Sequence, residues 1–101
     1  MWAQLIKVRV KPGIDLSALT EVLKAAEQPE SGLLREMFMH DQDDPDSVYV
    51  LAMFESEEKA RERERDPRRA EGQQNVQAFL ANALAGPPEF VDLTVATDWV
   101  P

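Results

Sequence analysis

The sequence has no cysteine and fewer basic than acidic residues, and each shortage excludes a class of function. Without cysteine there is no disulfide framework, no thiolate nucleophile and no cysteine-ligated zinc. The 11 lysine and arginine residues against 19 aspartate and glutamate residues give a net charge of −8. Because nucleic acids and anionic membranes attract basic surfaces, we expect neither as a partner.

Long apolar runs are also missing, and no stretch approaches the roughly 18 residues of a membrane-spanning helix. The amino terminus is not typical of a signal peptide, because Lys7 and Arg9 interrupt it. The composition, 44% hydrophobic and 30% charged, is that of a globular protein. We therefore expect one domain over residues 1–101, located in the cytoplasm.

The most informative segment is Ser47–Phe54, a predicted strand that is apolar on both faces. A strand with one face in water would alternate apolar and polar side chains. The chain has enough helix to cover one face only, so we expect a second copy to cover the other in a homodimer. One face carries Val48, Val50, Ala52 and Phe54, and the opposite face carries Tyr49, Leu51 and Met53.

Three further strands and two helical regions accompany this segment. Asp15 and Ser56 are helix-capping residues, and Asp66–Pro67 breaks the second helical region, which ends at Gly86. The order β-α-β-β-α-β predicts an α+β, ferredoxin-like fold: a four-stranded antiparallel sheet, strands one and three central, helices on one face. The predicted strands are Trp2–Lys11, Leu33–His40, Ser47–Phe54 and Glu89–Trp99, and the first helix runs from Leu16 to about Gln28.

Short segments in a particular order carry a family resemblance. Val8–Gly13 closes the first strand, Ser31–Gly32 opens the second, and Asp44–Asp46 lies in the hairpin. Val50–Ala60 spans a strand-to-helix junction, and the break at Asp66–Pro67 follows it. Together they resemble the antibiotic biosynthesis monooxygenase (ABM) superfamily of dimeric α+β barrels, over nearly the whole chain. The resemblance implies two sheets paired face to face and a small-molecule pocket between sheet and helices.

The resemblance also implies an activity, that of a cofactor-independent monooxygenase or related isomerase acting on a small aromatic or polyketide-like molecule. No cofactor is expected. Haem degradation is disfavoured, because the asparagine, tryptophan and histidine of the haem-degrading branch fall on Ile6, Arg63 and Gln73. Since few titratable groups suit catalysis, the alternative is a non-catalytic, dimeric small-molecule-binding or stress-associated protein of the same fold.

Three residues are candidates for catalysis. Arg63 would bind an anion such as an enolate or phenolate, unless its helix is a solvated face of alternating charges. Glu36 alternates with Leu34 and Phe38 and would be a general base if buried, or an ordinary exposed acid on an edge strand. His40 would be a base near neutral pH, or a half-exposed residue at the entry to the hairpin.

Five residues are candidates for contacting a small molecule. Gln4 is predicted on the helix-facing side of the first strand, where its amide needs a hydrogen-bond partner such as a ligand. Asn75, in the last helix, is a weaker candidate for the same role. Tyr49 and Trp99 would line the pocket or the dimer interface, and Phe38 would line the pocket.

The hairpin after the second strand contains four aspartates, which suggests calcium at first sight. The segment lacks the glycine and the distant glutamate of a calcium-binding loop, and aspartates with proline are common turn residues. We expect a solvated turn and no metal site. The four are Asp41, Asp43, Asp44 and Asp46.

Overall fold

A computed structural model describes all 101 residues and shows one four-stranded antiparallel sheet with three α-helices. Across the sheet the strands lie in the order second, third, first, fourth, so the first and third strands are central. The predicted α+β, ferredoxin-like fold is confirmed. The strands are β1 (Trp2–Arg9), β2 (Leu33–His40), β3 (Ser47–Phe54) and β4 (Glu89–Thr94); the helices are α1 (Leu16–Ala26), α2 (Glu57–Glu64) and α3 (Ala70–Ala83), with a 3-10 turn at Pro67–Arg69.

The central strand β3 has its two faces in different environments. The residues at its even-numbered positions are buried against the helices, as Val48 and Phe54 illustrate. No helix covers the opposite face, which we call the open face. Its apolar side chains are contributed by all four strands: Leu5, Met37, Met39, Tyr49, Leu51, Met53, Val91 and Leu93.

A side chain caps the start of α1, of α2 and of the 3-10 turn that precedes α3, as the sequence predicts. The Asp15 carboxylate accepts a hydrogen bond from the Ser17 amide at 2.9 Å, and the Ser56 hydroxyl accepts one from the Lys59 amide at 3.1 Å. The Asp66 carboxylate accepts from the Arg68 amide at 2.9 Å, so α2 and α3 are separate helices. This break leaves α2 short and allows it to pack independently on β3.

The last strand is shorter than the prediction of Glu89–Trp99, because β4 ends at Thr94. Its only neighbour is β1, in which Trp2 pairs with Thr94, so β1 has almost no residues left for a longer strand to pair with. Residues 95–101 have no regular secondary structure, and Trp99 is 83% exposed. The first strand also ends early, at Arg9, and the first helix ends at Ala26.

Two apolar clusters fill the space between sheet and helices. One packs Trp2 and Phe54 against Ala60 of α2, with the two aromatic ring centroids 5.8 Å apart. The other, around Val10, Val48 and Val50, lies under α1 and α3 and surrounds a cavity. None of the helices combines the length and the apolar composition that a membrane span requires.

Candidate functional site

A cavity of about 250 Å³ lies between the sheet and helices α1 and α3. Its wall is mostly aliphatic and aromatic, which is usual for sites that bind small organic molecules. It opens to solvent beside β4, where Pro88 and Phe90 line it while remaining exposed; Phe90 is 57% exposed. The apolar lining includes Ile6, Val8, Leu23, Phe38, Val50, Val76, Phe79, Leu80 and Leu84.

Four polar side chains interrupt this apolar wall: Glu36, Arg63, Gln73 and Gln77. Glu36 comes from β2, Arg63 from α2, and the two glutamines from successive turns of α3. A few polar groups in an otherwise apolar cavity can orient a bound molecule, because each is costly to leave without a partner. The cavity therefore has both an apolar body and a polar part.

Glu36 faces the helices from strand β2, opposite Ala52 of β3. A bulge at Leu34 shifts the register of β2, so the alternation expected from Leu34 to Phe38 does not hold and Leu34 is 51% exposed. Burial raises the pKa of the Glu36 carboxyl above its ordinary 4.5, while the positive charge of Arg63 opposes that rise. Glu36 is therefore easier to protonate than an exposed glutamate, although the charges of Arg63 and Arg69 act against protonation.

Arg63 is not part of a solvated helix face, because its side chain is only 13% exposed. Its Nη2 donates to Oε2 of Glu27 at 3.1 Å, and its guanidinium carbon lies 5.7 Å from the ring centroid of Phe54. Burial acts to raise the pKa of Glu27, but hydrogen bonds from Arg63 and the Gln28 amide outweigh it, so that pKa lies below 4.5. The ion pair joins the end of α1 to α2 at the cavity wall.

Arg69 is the most buried charged residue of the protein, with 6% of its surface exposed. Its Nη1 donates to the backbone carbonyl of Arg63 at 3.4 Å, and its Nε has no hydrogen-bond partner. Burial and the charge of Arg63 lower its pKa, while Glu27 and Glu36 raise it. An arginine stays protonated in proteins, so Arg69 adds a second buried positive charge beside Glu36.

Of the eight predicted site residues, the cavity brings together Arg63, Glu36 and Phe38. Gln4 lies on the helix-facing side as expected, but its amide donates to Asp92 at 3.0 Å, and Arg61 also donates to Asp92 at 3.0 Å. Gln4 is therefore satisfied within the chain, in a polar group that lies outside the cavity.

The other four predicted residues also lie outside the cavity. His40 is exposed, with its Nδ1 2.8 Å from the carbonyl oxygen of Pro45. Tyr49 is on the open face, opposite Lys7. Asn75 is on the exposed side of α3, and Trp99 projects from the irregular carboxyl-terminal segment.

Sequence reasoning missed the roles of Glu27, Arg69 and Gln77, and it considered Gln73 only as a replacement for a haem ligand. Gln73 and Gln77 are four residues apart and therefore on one side of α3, the side that Val76 shares, which is a detectable signal. No local signal identifies Glu27, because its partner Arg63 is 36 positions away.

The aspartates of the β2–β3 hairpin form a turn. The Asp41 carboxylate accepts from the Asp43 amide at 2.8 Å, and Asp44 forms an ion pair with Arg9 at 2.8 Å. Hydrogen bonds and the charge of Arg9 lower the pKa of Asp44. No group of three or more histidine, aspartate or glutamate side chains is arranged to hold a metal ion.

No model of a known protein family matches the chain, and no curated protein matches it by sequence. Solved structures do match. A mutant of SnoaB, a cofactor-independent oxygenase from Streptomyces nogalater, is 14% identical, with a TM-score of 0.66 over 96% of this chain and 94% of that chain. The monooxygenase from the gene ActVA-Orf6 of Streptomyces coelicolor, in complex with the ligand Nanaomycin D, is 22% identical, with a TM-score of 0.65 over 99% and 91%.

A third match is a protein from Nitrosomonas europaea whose name proposes it as an antibiotic biosynthesis monooxygenase. It is 16% identical, with a TM-score of 0.68 over 96% of this chain and 100% of that chain. At such low identities the comparison concerns the backbone, and it agrees with the resemblance noted in the sequence. The chain has the α+β fold of the antibiotic biosynthesis monooxygenases.

Proposed function

We propose that the chain binds a small aromatic molecule in the cavity between sheet and helices and oxidises it with O₂, without a cofactor. The observation that carries this proposal is the apolar cavity of about 250 Å³ with Glu36 and Arg63 in its wall. A cavity of about 150 Å³ lined by apolar side chains accommodates benzene. The space in this protein therefore suits a molecule of about two fused aromatic rings.

The two charged residues have complementary roles in this chemistry. Glu36, whose pKa burial raises, acts as the base that removes a proton from a phenol or enol. The Arg63 guanidinium stabilises the anion that results. The electron-rich anion then reacts with O₂: a dihydroxynaphthalene and one O₂ yield a hydroxynaphthoquinone and one water. SnoaB and the ActVA-Orf6 protein, oxygenases of the same fold, support this reaction class.

One observation favours the non-catalytic alternative. The charge of Arg63 is already balanced by Glu27 at 3.1 Å, so an anion must compete with an existing ion pair. In that case the cavity would bind an aromatic molecule and leave it unchanged. The two functions differ in whether O₂ is consumed when the ligand is bound.

We also propose that the protein is a homodimer joined through the open face. Four strands about 4.8 Å apart and about eight residues long give a sheet face of roughly 500 Å². Side chains project from this plane and enlarge the contact surface, toward the roughly 800 Å² that each partner buries in a stable interface. The open face is apolar at its centre, where Leu5 lies opposite Leu51.

Oxygen consumption tests the activity, with a dihydroxynaphthalene as the substrate. We expect Arg63→Met to lower kcat by about 10²- to 10³-fold, the usual cost of removing one donor to a developing oxyanion. Arg65→Met is the matched control, because Arg65 is exposed at the end of the same helix and should keep the full rate. Binding of the naphthalene without O₂ uptake would favour the non-catalytic function, and equal rates in both variants would remove Arg63 from the mechanism.

A further inference from the structure

Four charged side chains from four different segments lie at or behind the polar part of the cavity: Glu36 and Arg63 line it, and Glu27 and Arg69 contact Arg63 without lining it. Glu27 ends α1, Glu36 is on β2, Arg63 is on α2 and Arg69 is in the 3-10 turn. Arg63 contacts Glu27, Arg69 contacts the Arg63 backbone, and the charges of Glu27, Arg63 and Arg69 all act on Glu36. We refer to these four residues as the charge cluster.

No other charged group faces Glu36 from the elements packed around it. Its neighbour on β3 is Ala52, and α3 contributes the neutral amides of Gln73 and Gln77 to the cavity. The protonation state of the charge cluster therefore depends on Glu36, because Glu27 is held ionised by Arg63 and both arginines remain protonated.

The net charge of the charge cluster has two values. With Glu36 ionised, two carboxylates balance two guanidinium groups and the sum is zero. Asp66 also acts on Arg69, but its own charge is balanced by Arg68 at 2.7 Å. With Glu36 protonated the sum is +1, in a site where an unbalanced charge is costly because little water can solvate it. The buried Nε donor of Arg69, which has no acceptor in the chain, adds to that deficit of negative groups.

We propose that the cavity selects aromatic molecules with one acidic group, and that the bound anion and a proton on Glu36 are taken up together. The inference rests on the proposed function, since it concerns the same cavity. In the bound state the ligand anion replaces the Glu36 carboxylate as the second negative charge, so the sum is again zero. A phenol supplies the proton itself: its O–H bond breaks, the proton bonds to a Glu36 carboxylate oxygen, and the phenolate stays beside Arg63.

When the ligand is already ionised, Glu36 must instead take its proton from solvent. That proton uptake can be measured. Naphthalene-2-sulfonate is such a probe, and 2-naphthylmethanol is a neutral probe of the same ring size. Isothermal titration of the full chain in two buffers of different ionisation enthalpy counts the protons. We expect the sulfonate to bind with uptake approaching one proton, and the alcohol to bind with none.

The pH dependence follows from the same linkage. Above the pKa of Glu36 in the free protein, we expect sulfonate affinity to fall tenfold per pH unit, because one proton must be added on binding. Glu36→Gln is neutral at every pH, so it should bind the sulfonate with no proton uptake and no pH slope. Glu58→Gln is the control, because Glu58 is exposed on α2; this variant should keep the wild-type slope.

The outcomes separate this inference from the proposed function. If the alcohol binds but the sulfonate does not, or binds without proton uptake, coupling through Glu36 is refuted while the cavity remains a ligand site. If neither probe binds, both proposals fail. The buffer comparison on the wild-type protein needs no variant, so a folding defect in Glu36→Gln would not prevent the decision.

Discussion

Gly72 is a position where helix α3 lies close against α1, and replacing it with alanine gives a sharp test of this packing. A Cβ atom added at Gly72 would lie 2.5 Å from Cβ and 2.6 Å from Cα of Ala26. Carbon atoms normally stay about 3.5–4.0 Å apart, so the helices must separate by roughly 1 Å. Ala26 is fully buried, and one of the atoms in the way is backbone, so no side chain can rotate to make room.

Two effects of opposite sign act in Gly72→Ala. Alanine in a helix interior is favoured over glycine by about 1 kcal/mol. Overpacking a close contact costs about 1–3 kcal/mol, and a backbone obstacle puts this case at the upper end. We expect a net loss of about 1–2 kcal/mol in the free energy of unfolding, and a fall in Tm of roughly 5–15 °C.

Urea and thermal unfolding at one fixed protein concentration measure this loss. Gly86→Ala is the matched control, because no atom lies within 4 Å of its added Cβ, and it should stay within about 0.5 kcal/mol of the wild type. A Gly72→Ala variant that is more stable than the wild type would mean that the added Cβ costs less than about 1 kcal/mol, which does not fit a contact of 2.5 Å. The close approach of α1 and α3 would then be refuted.

Two further predictions concern the open face and Glu36. Leu51→Lys should raise the dimer dissociation constant at least 100-fold, because like charges brought together in an interface cost several kcal/mol. Sedimentation at micromolar concentration measures this constant. Gln74→Lys is the control, because Gln74 is exposed on α3. A well-folded wild-type monomer would refute the dimer. The pKa of Glu36 is raised above 4.5 in the folded protein, so the folded state binds its proton more tightly than the unfolded state does. The resulting stability is fully present below pH 4.5 and is lost as the pH rises through the folded pKa. The free energy of unfolding of Glu36→Gln should therefore equal that of the wild type near pH 4 and exceed it at pH 7–8. Urea unfolding measures both, and the opposite trend would contradict the burial of this carboxyl.

The strand pattern and the capping residues were sufficient to predict the fold. The apolar residues on both faces of Ser47–Phe54 predicted a central strand, and the structure places it at the centre of the sheet. Asp15, Ser56 and Asp66 each cap a helical segment as expected. These features depend on neighbours within a few residues, which is why they can be read directly from the chain.

The candidate site depended on contacts between distant segments. Alternating charges along α2 indicated a solvated helix, but Glu27 and Phe54 bring Arg63 inward. A bulge at Leu34 changes which residues of β2 share a face with Glu36.

Periodicity and capping are local properties, so the order, type and approximate limits of the strands and helices follow from short stretches of sequence. The burial of Arg63 and the end of β4 follow from folding, since Arg63 pairs with a residue 36 positions away and β4 pairs with the start of β1. Burial and pairing are properties of segments brought together by folding, and no short stretch of the chain contains them.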